Sequence, residues 1–447
     1  MDAQSTTPVP PPGCPAHHSG GRVPLYGPEF AADPQAYYTY MSHEPTSAVE
    51  LAPGVEATLV TDYSAALRLL QDSGSFRKDA RRWRDFNEGG VSPDSPVLPL
   101  LVYRPNCMFS DGAEHLRLRQ AVTDSMARVD SRRLSRSTEQ IADYLIAQFS
   151  SRGSADLLAG YAKLLPLFVF NELFGCPADV GDRVLFGISG MFDGVNAEQA
   201  TGVFFQAVGE LVALKRTTPG DDVTSWLMQH QAGLTDEEMV HQLALLLGAG
   251  AEPLRNLLGN TLHRLLTDDA YADKGGLIEE ALDDTLWKNP PITNYAPHYP
   301  AADMEFAGRK LRAGDLVMVS FAAANAGPAL SASRQARSRA HLAWSAGPHA
   351  CPSKEPARLI TITALERLLN RLPDVELAVP EESLTWRPGP FSRALAALPA
   401  KFTALQPASG PQAAPPAQAS GSDGHAGTAP KPERDGRWSQ FLTWLTR

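Results

Sequence analysis

The feature that most constrains this chain is the setting of one cysteine, Cys351, within the segment His341–Pro352. An apolar stretch ends in Trp344, and a Gly-Pro turn then presents His349 two residues before the thiol. The spacing predicts a helix over Pro356–Leu369, whose N-terminal dipole would favour the thiolate. A thiolate on a tight loop, with backbone N–H groups able to donate to its sulfur, suits axial ligation of a haem iron. The alternative is a buried structural cysteine, because free cysteine is among the most buried residue types.

This segment resembles the haem loop of the cytochrome P450 superfamily. In that loop an aromatic residue is followed by glycines, a basic residue and the cysteine, and Trp344, Gly347, His349 and Cys351 match this order and spacing. The resemblance covers residues 22–405. It implies a mainly α-helical P450 fold with small β-sheets, Cys351 as the axial ligand of the iron of haem b, and His349 as a partner of a haem propionate.

Two serines, Ser345 and Ser353, stand where the family usually has glycine. Both replacements restrict the backbone of the loop, since a side chain removes the freedom that glycine has.

Composition limits the class of protein. The 447 residues, 43% hydrophobic and 20% charged, are enough for one large core or two domains. A net charge of −10 gives no electrostatic footprint for nucleic acid. Four cysteines without paired spacing indicate reduced thiols in the cytoplasm. With no signal-peptide pattern, and with Leu243–Ala251 as the longest apolar run, we expect no transmembrane anchor.

The chain divides into four parts by composition. We expect a disordered N-terminus over 1–21, a haem domain over 22–405, a flexible linker over 406–436 and an amphipathic helix over 437–447. Apolar spacing predicts amphipathic helices in the body, among them Ser64–Gln71, His115–Ala127, Ser135–Phe149, Ala155–Phe174 and Val203–Lys215. Short β-like runs lie at Ala57–Val60, Met304–Phe306 and Val317–Ser320.

The C-terminal segment places Trp438, Phe441, Leu442 and Leu445 on one helical face. Two interpretations stay open: the helix folds back on the body, or it docks to a partner protein. A membrane-surface role fits less well, because the segment is short and is basic only at its ends.

A long apolar helix is predicted over Met239–Leu266, and a capping box that begins at Thr235 opens it. Small residues near its middle allow a flat group to approach the backbone. Pro253 removes the N–H that would bond the carbonyl of Ala249, so we expect a kink or an opening there. The alternative is helix–helix packing at Gly250 with an incidental kink.

In P450s this helix crosses the distal face of the haem and carries an Ala-Gly-x-acid-Thr run. Ala249, Gly250 and Glu252 match it, and Pro253 stands where the threonine is usual. That threonine helps to deliver protons during oxygen activation, whereas proline has no side-chain donor. The resemblance therefore implies these four as catalytic residues, with Glu252 as the proton source and a water on the Ala249 carbonyl as a substitute. Some peroxide-using P450s also carry proline here.

Residues 111–119 resemble the segment in which soluble bacterial P450s bind the haem propionates. His115 and Arg119 lie four residues apart on one helical face and suit a carboxylate. The alternative is a solvated helix face. His298, which follows Pro290-Pro291, is a further candidate for a propionate contact.

P450s normally hold a Glu-x-x-Arg pair on the helix before that Pro-Pro, whereas this chain has Asp284 and Trp287 at the two positions. We expect Asp284 to keep part of the pairing role. Trp287 cannot form an ion pair, so we expect it to pack, because apolar packing can replace a buried ion pair without loss of stability. One of Arg334, Arg337 and Arg339 would ordinarily meet the pair.

Some P450s that lack this pair are encoded beside a sensor-kinase-like and a small GTPase-like protein. Two functions follow. The first is a haem-thiolate oxidoreductase that oxidises a small organic substrate, with electrons from a ferredoxin and its reductase or with peroxide as the oxidant. The second is a haem-binding pseudoenzyme that acts as a sensor or scaffold with such partners. In this fold the segments Trp83–Tyr103 and Phe168–Phe192 would line the substrate pocket.

Overall fold

The computed structural model describes residues 21–193, 197–271, 277–327, 330, 338–406 and 436–446. The predicted disordered N-terminus and linker lie almost wholly outside the described residues. The helices of the N-terminal half are α1 (Gly27–Ala32), α2 (Pro34–Met41), α3 (Tyr63–Gln71), α4 (Arg84–Asn87), α5 (Leu98–Leu101), α6 (Gly112–Met126), α7 (Ser131–Ala147), α8 (Leu164–Leu173) and α9 (Ala178–Asp193). Those of the C-terminal half are α10 (Ala197–Thr217), α11 (Val223–Gln229), α12 (Asp236–Thr267), α13 (Ile278–Lys288), α14 (Phe321–Ala326), α15 (Lys354–Arg371) and α16 (Arg437–Leu445).

The strands are short and form small sheets. They are β1 (Val23–Pro24), β2 (Thr46–Ala52), β3 (Val55–Val60), β4 (Phe76–Arg77), β5 (Ser154–Asp156), β6 (Asn294–Pro300), β7 (Met304–Phe306), β8 (Arg309–Leu311), β9 (Val317–Ser320), β10 (Glu376–Leu377) and β11 (Pro399–Lys401). The largest sheet has the order β1-β2-β3-β9-β6-β4, a second has β10-β11-β5, and β7 pairs with β8. The mainly helical architecture with small sheets is the predicted one.

One irregularity in the largest sheet shapes the site described below. The register of β6 against β9 shifts between Tyr295 and His298, and Ala296 has a φ of +57°. A non-glycine residue rarely takes that conformation, which typically marks a turn or a bulge. As a result the Nδ1 of His298, which is buried, donates a hydrogen bond to the Ala296 carbonyl at 2.7 Å.

The longest helix, α12, organises the core. It has 32 residues and is therefore about 48 Å long. The Thr235 hydroxyl and the Glu238 side chain form the capping box that the sequence predicted. The helix also continues without a break through Pro253, so the expected opening is limited to the N–H that proline lacks. Helices α8, α10, α13 and α15 pack around α12.

The helix predicted over Ala155–Phe174 is wrong at its start. Ser154–Asp156 forms β5, and a single π-helical stretch, Leu158–Ala162, precedes α8. The strand forms because β11 pairs with it from the far end of the domain. Local apolar spacing carries no information about such a distant partner. The three predicted strands and the other four predicted helices are present, with boundaries moved by at most six residues, the largest change being the start of α10 at Ala197.

The C-terminal helix α16 lies against α9 and α7. Trp438 and Phe441 are 2% and 1% exposed. Of the two interpretations left open by the sequence, the structure has the helix folded back onto the body. Among the described residues, no helix combines the length and the hydropathy that crossing a bilayer requires.

Candidate functional site

The Cys351 loop is a tightly bonded turn at the start of α15. Short 3-10 turns at Leu342–Trp344 and Gly347–His349 fold the chain back, so that the Cys351 N–H donates to the Trp344 carbonyl at 2.8 Å. Gly347 has a φ of +68°, and a Cβ there would overlap the Leu70 carbonyl oxygen of α3. Only glycine fits this close approach. The loop therefore holds the sulfur at a fixed place beside the N-terminus of α15.

Burial raises the pKa of the Cys351 thiol, and the backbone N–H of Ser353 and the charges of Arg119 and Lys354 only partly oppose it. The sequence-based expectation that the helix dipole would favour the thiolate stays a prediction, and in the protein by itself desolvation is the larger effect on the thiol. A metal ion would reverse the balance, since a coordinating thiol is deprotonated. The N–H of Ser353 already bonds to the sulfur, as an axial thiolate requires.

The two serines at glycine positions behave differently. Ser345 has φ +60° and ψ −170°, a region that is essentially restricted to glycine, whereas Ser353 has φ −117° and ψ 25°. Strain is therefore stored at Ser345, where the loop turns after Trp344, and not at Ser353.

The strain gives a stability prediction. Ser345→Gly should raise the free energy of unfolding by about 1 to 2 kcal/mol, because the backbone cost of the side chain is removed. Ser353→Gly is the matched control and should bring no gain. Denaturant unfolding of both variants measures this, and an equal gain in the two, or a loss at 345, would contradict the strain.

Five basic side chains converge beside the loop. They are Lys78, His115, Arg119, His298 and His349, and the charges of the other four all act on His349. The rings of His115 and His349 lie 3.9 Å apart, centroid to centroid. The Arg119 guanidinium donates to the carbonyl of Ala350, next to the cysteine. The structure thus brings together the four basic residues predicted from the sequence and adds Lys78.

Within the part of the chain that the structure describes, the five basic side chains outnumber the carboxylates beside them, and the charge of Asp111 acts on Lys78 and His115. Asp111 lies nearby, but its carboxylate accepts the backbone N–H groups of Lys78 and Asp79 at 3.0 to 3.1 Å. The Nε2 of His115 is buried and has no hydrogen-bond partner among the described residues. Burial, followed by the charge of Lys78, lowers the pKa of His349, and burial also lowers the pKa of Lys78 to about 7 despite the attraction of Asp111. A ligand that carries carboxylates would supply the missing charge, so the donor set fits the propionates of haem.

The lowered pKa of Lys78 has a consequence for the haem-free protein. Between about pH 7 and the ordinary lysine pKa the unfolded chain binds this proton more tightly, so stability rises with pH. We expect the free energy of unfolding to rise from pH 7 to pH 9 by at most about 1.4 kcal/mol per pH unit from this group.

Lys78→Met should remove that slope, and bound haem should flatten it in the parent protein, because propionates stabilise the ammonium. Urea unfolding of haem-free and haem-loaded protein at pH 7, 8 and 9 measures both effects. An identical slope in parent and variant would show that Lys78 is not the titrating group.

The α12 segment that carries the predicted catalytic residues has one exposed and one packed side. Ala249 is exposed, although it lies in the middle of the helix. At Gly250 the approaching group is the Phe170 ring of α8, two of whose atoms lie 2.7 and 2.8 Å from the position a Cβ would take. In the structure Gly250 is therefore a position at which α12 packs against α8.

Glu252 is held by two guanidinium groups. Its carboxylate lies 2.5 Å from Nη1 of Arg387 and 3.3 Å from Nη1 of Arg255, and its side chain is 11% exposed. Pro253 follows within the helix. Any proton that is transferred through Glu252 must therefore bind to a carboxylate that Arg255 and Arg387 hold in place.

Trp287 packs as predicted. It is 3% exposed, its Nε1 donates to the Ser338 carbonyl at 2.7 Å, and its ring meets that of His341 edge-on at 5.6 Å. The indole therefore ties α13 to the segment before the Cys351 loop, with a hydrogen bond in place of an ion pair.

The expectation for Asp284 is wrong. Its carboxylate lies 2.6 Å from Lys288 and 4.0 Å from Arg264, because one residue of helical rotation turns it away from the loop. The neighbouring Asp283 takes the role instead and pairs with Arg358 and with Arg339 at 3.2 Å. Arg339 is thus the predicted arginine that meets the pair. Arg334 and Arg337 lie outside the described residues.

Sequence reasoning missed three charged residues of the site. Lys78 arrives on the turn after β4, and Arg255 and Arg387 hold Glu252 from α12 and from the C-terminal loop. Arg255 was open to prediction, since it lies three residues after Glu252 on the same helix. Lys78 and Arg387 are far away in sequence and carry no motif.

Comparison with known proteins gives a consistent set of relatives. No protein-family model matches the chain. The cytochrome P450 monooxygenase PikC of Streptomyces venezuelae is 31% identical over 399 residues, 84% of this chain and 92% of that protein. The mycinamicin IV hydroxylase/epoxidase of Micromonospora griseorubida is 32% identical over 376 residues, 80% of this chain and 92% of that protein.

A solved structure supports the same grouping. CYP154A1 from Streptomyces coelicolor superposes with a TM-score of 0.74 at 28% identity, over 85% of this chain and 99% of that one. The similarity extends over nearly the whole length of each relative.

Proposed function

The chain belongs to the cytochrome P450 superfamily and is an enzyme of the monooxygenase type, and on that premise we propose that it holds haem b through Cys351 and oxidises a small organic substrate. The single observation that carries the cofactor proposal is the junction of a half-buried thiol with a basic cluster in which, among the described residues, the buried Nε2 of His115 has no hydrogen-bond partner. Haem has a partner for each feature: the iron at the centre of its ring for the thiol, and the two propionates at its edge for the basic cluster.

In this proposal Cys351 is the axial ligand, and His115, Arg119, His298, His349 and Lys78 receive the propionates. Haem bound there would supply iron-centred oxidation chemistry, with electron density from the thiolate favouring cleavage of the O–O bond. The chain's own contribution is to fix the sulfur, through the Ser353 N–H and the Cys351–Trp344 hydrogen bond, and to neutralise the propionates.

Proton delivery is assigned to Glu252 in this proposal. Pro253 has no side-chain donor, so the carboxylate is the nearest proton-carrying group on this segment of α12. Arg387 and Arg255 hold it, and it has to leave at least one of them to reach the exposed face at Ala249. Dioxygen needs protons and electrons, the latter from a ferredoxin and its reductase. Peroxide brings both with it, and its use would bypass this step.

A comparison of dioxygen with hydrogen peroxide as the oxidant separates proton delivery by Glu252 from a structural role of this residue. With ethoxycoumarin as the probe, Glu252→Gln should lower the rate driven by dioxygen and a surrogate ferredoxin chain about 10²-fold. The rate driven by hydrogen peroxide should stay within a few-fold, and Pro253→Thr should raise the dioxygen-driven rate.

Glu382→Gln, at an exposed glutamate, is the matched control and should change neither rate. An equal loss with both oxidants would show that Glu252 supports structure rather than proton transfer. No oxidation of any probe by the haem-loaded parent protein, with either oxidant, would overturn the enzymatic proposal.

The sensor or scaffold hypothesis is not carried forward. It relied on the family residues lost at Pro253 and Trp287 and on a C-terminal helix able to bind a partner. In the structure α16 buries its two principal aromatic side chains in the body. No other contact among the described residues favours a kinase-like or GTPase-like partner.

A further inference from the structure

The C-terminal helix occupies a groove that is shaped for it. Trp438 stacks on Phe441 and meets Phe168 of α8 edge-on at 5.6 Å, and Phe441 meets Tyr144 of α7 at 5.3 Å. The Trp438 Nε1 also donates to the Cys176 carbonyl at 3.3 Å. The groove therefore recognises both the apolar faces and the polar edge of one indole.

Helix α9 forms the floor of this groove. A Cβ at Gly181 would overlap the Trp438 ring, so the absence of a side chain there makes room for the indole. The next residue, Asp182, accepts the backbone N–H groups of Trp438 at 2.7 Å and Ser439 at 3.2 Å. These are the unpaired donors of the first turn of α16, so α9 supplies its N-cap from a distance.

The other half of α9 reaches the candidate active site. Ile188 and Ser189 line a small cavity together with Ala251, Glu252 and Arg255 of α12. A single helix thus touches α16 near its N-terminus and the proposed proton-delivery segment two turns later. Whatever fixes the position of Gly181 and Asp182 also restrains Ile188 and Ser189.

The two buried aromatic side chains of α16 belong to the largest hydrophobic cluster of the described residues. A helix of nine residues is marginal by itself in water, so its helicity depends on the groove. Residues 407–435, which lie outside the described part of the chain, connect it to the last strand, β11. Trp444 and Leu445 on the outer side remain 39% and 43% exposed, so the contact is confined to one face.

We propose that α16 is a detachable strap of this chain that, when docked, holds α9 closed over the Ala251–Arg255 part of α12 and so controls entry to the site. The proposal rests on the proposed function only in identifying that site. Release of α16 leaves the haem region folded and lets α9 move away from α12, which opens the path for small ligands.

Hydrogen exchange on the haem-loaded, full-length protein tests the strap. Trp438→Ala, and separately Gly181→Ala, should remove protection from α16 and speed exchange of the α9 amides about tenfold or more, with α15 unchanged. Association and dissociation of phenylimidazole, an azole probe that binds haem iron, should both accelerate several-fold. The carbon-monoxide spectrum should not change.

Leu445→Ala, at an exposed position of α16, and Gly202→Ala, where an added Cβ meets nothing within 4 Å, are matched controls and should leave exchange and azole kinetics as in the parent. Faster exchange of α16 with α9 unchanged would overturn the strap, and so would faster exchange throughout the protein. Failure of the parent protein to give a haem-thiolate spectrum would sink the proposed function instead, while the exchange of α9 would still be measurable.

Discussion

Cys351→Ala is expected to abolish the thiolate-shifted carbon-monoxide band of the reduced protein and to reduce oxidation of the probe to background. The thiol sits at the start of α15, receives the Ser353 N–H and lies beside the basic cluster. The other described cysteines have different surroundings. The sulfur of Cys107 accepts a hydrogen bond from the Gln242 side chain at 3.4 Å. Burial raises the pKa of the Cys176 thiol to about 12. Neither is placed to replace the lost ligand.

Cys176→Ala is the matched control, because it removes a different buried thiol. The Trp438 side chain bonds to the backbone carbonyl of Cys176 and not to its sulfur, so that hydrogen bond is kept. The carbon-monoxide band of Cys176→Ala should be the same as that of the parent protein. Haem content should be measured alongside, since the basic cluster is expected to retain some haem in Cys351→Ala through the propionates. A thiolate-type band that persists in Cys351→Ala would remove this residue as the ligand.

The second large effect is a loss of stability when the family's usual arginine is restored. Trp287→Arg should lower the free energy of unfolding by about 3 to 5 kcal/mol, the cost of losing a buried tryptophan. The arginine would have no carboxylate to meet, because Asp284 is turned toward Lys288 and Arg264, and Asp283 already pairs with Arg339 and Arg358. An unpaired buried charge adds to the loss.

Trp287→Phe separates packing from hydrogen bonding. It keeps an aromatic ring against His341 but leaves the Ser338 carbonyl without its donor, so we expect a loss of about 1 to 3 kcal/mol. Denaturant unfolding of the two variants with the parent gives the comparison. Trp287→Arg as stable as the parent would mean that the α13 segment rearranges to form the ion pair after all.

The predictions that succeeded were those in which neighbours in sequence set the geometry. The turn before Cys351, the capping box at Thr235 and the packing of Trp287 follow from a few adjacent residues and from what one side chain can or cannot bond. The basic residues at 115, 119, 298 and 349 were found because a family pattern marks them. Their excess over the neighbouring carboxylates was not foreseen, because charge balance depends on all the elements that meet at one point.

The failures have the same physical origin. Lys78 and Arg387 enter the site through pairings between distant parts of the chain, such as β4 with β6, which no local pattern encodes. The choice between Asp283 and Asp284 depends on a rotation of about 100° per residue around α13. The effect of burial on the pKa of Cys351 was not foreseen, because the dipole of α15 is visible in the sequence, whereas the burial is not.

The basic cluster also bears on how long a newly made chain survives. Without bound carboxylates, burial disfavours the protonated forms of Lys78 and the histidines at this junction, and the chain opens there more often than it would when loaded. Proteases that cut such openings would remove unloaded copies first. The amount of this protein in a cell would then follow porphyrin supply, because newly synthesised molecules that bind the prosthetic group would escape degradation.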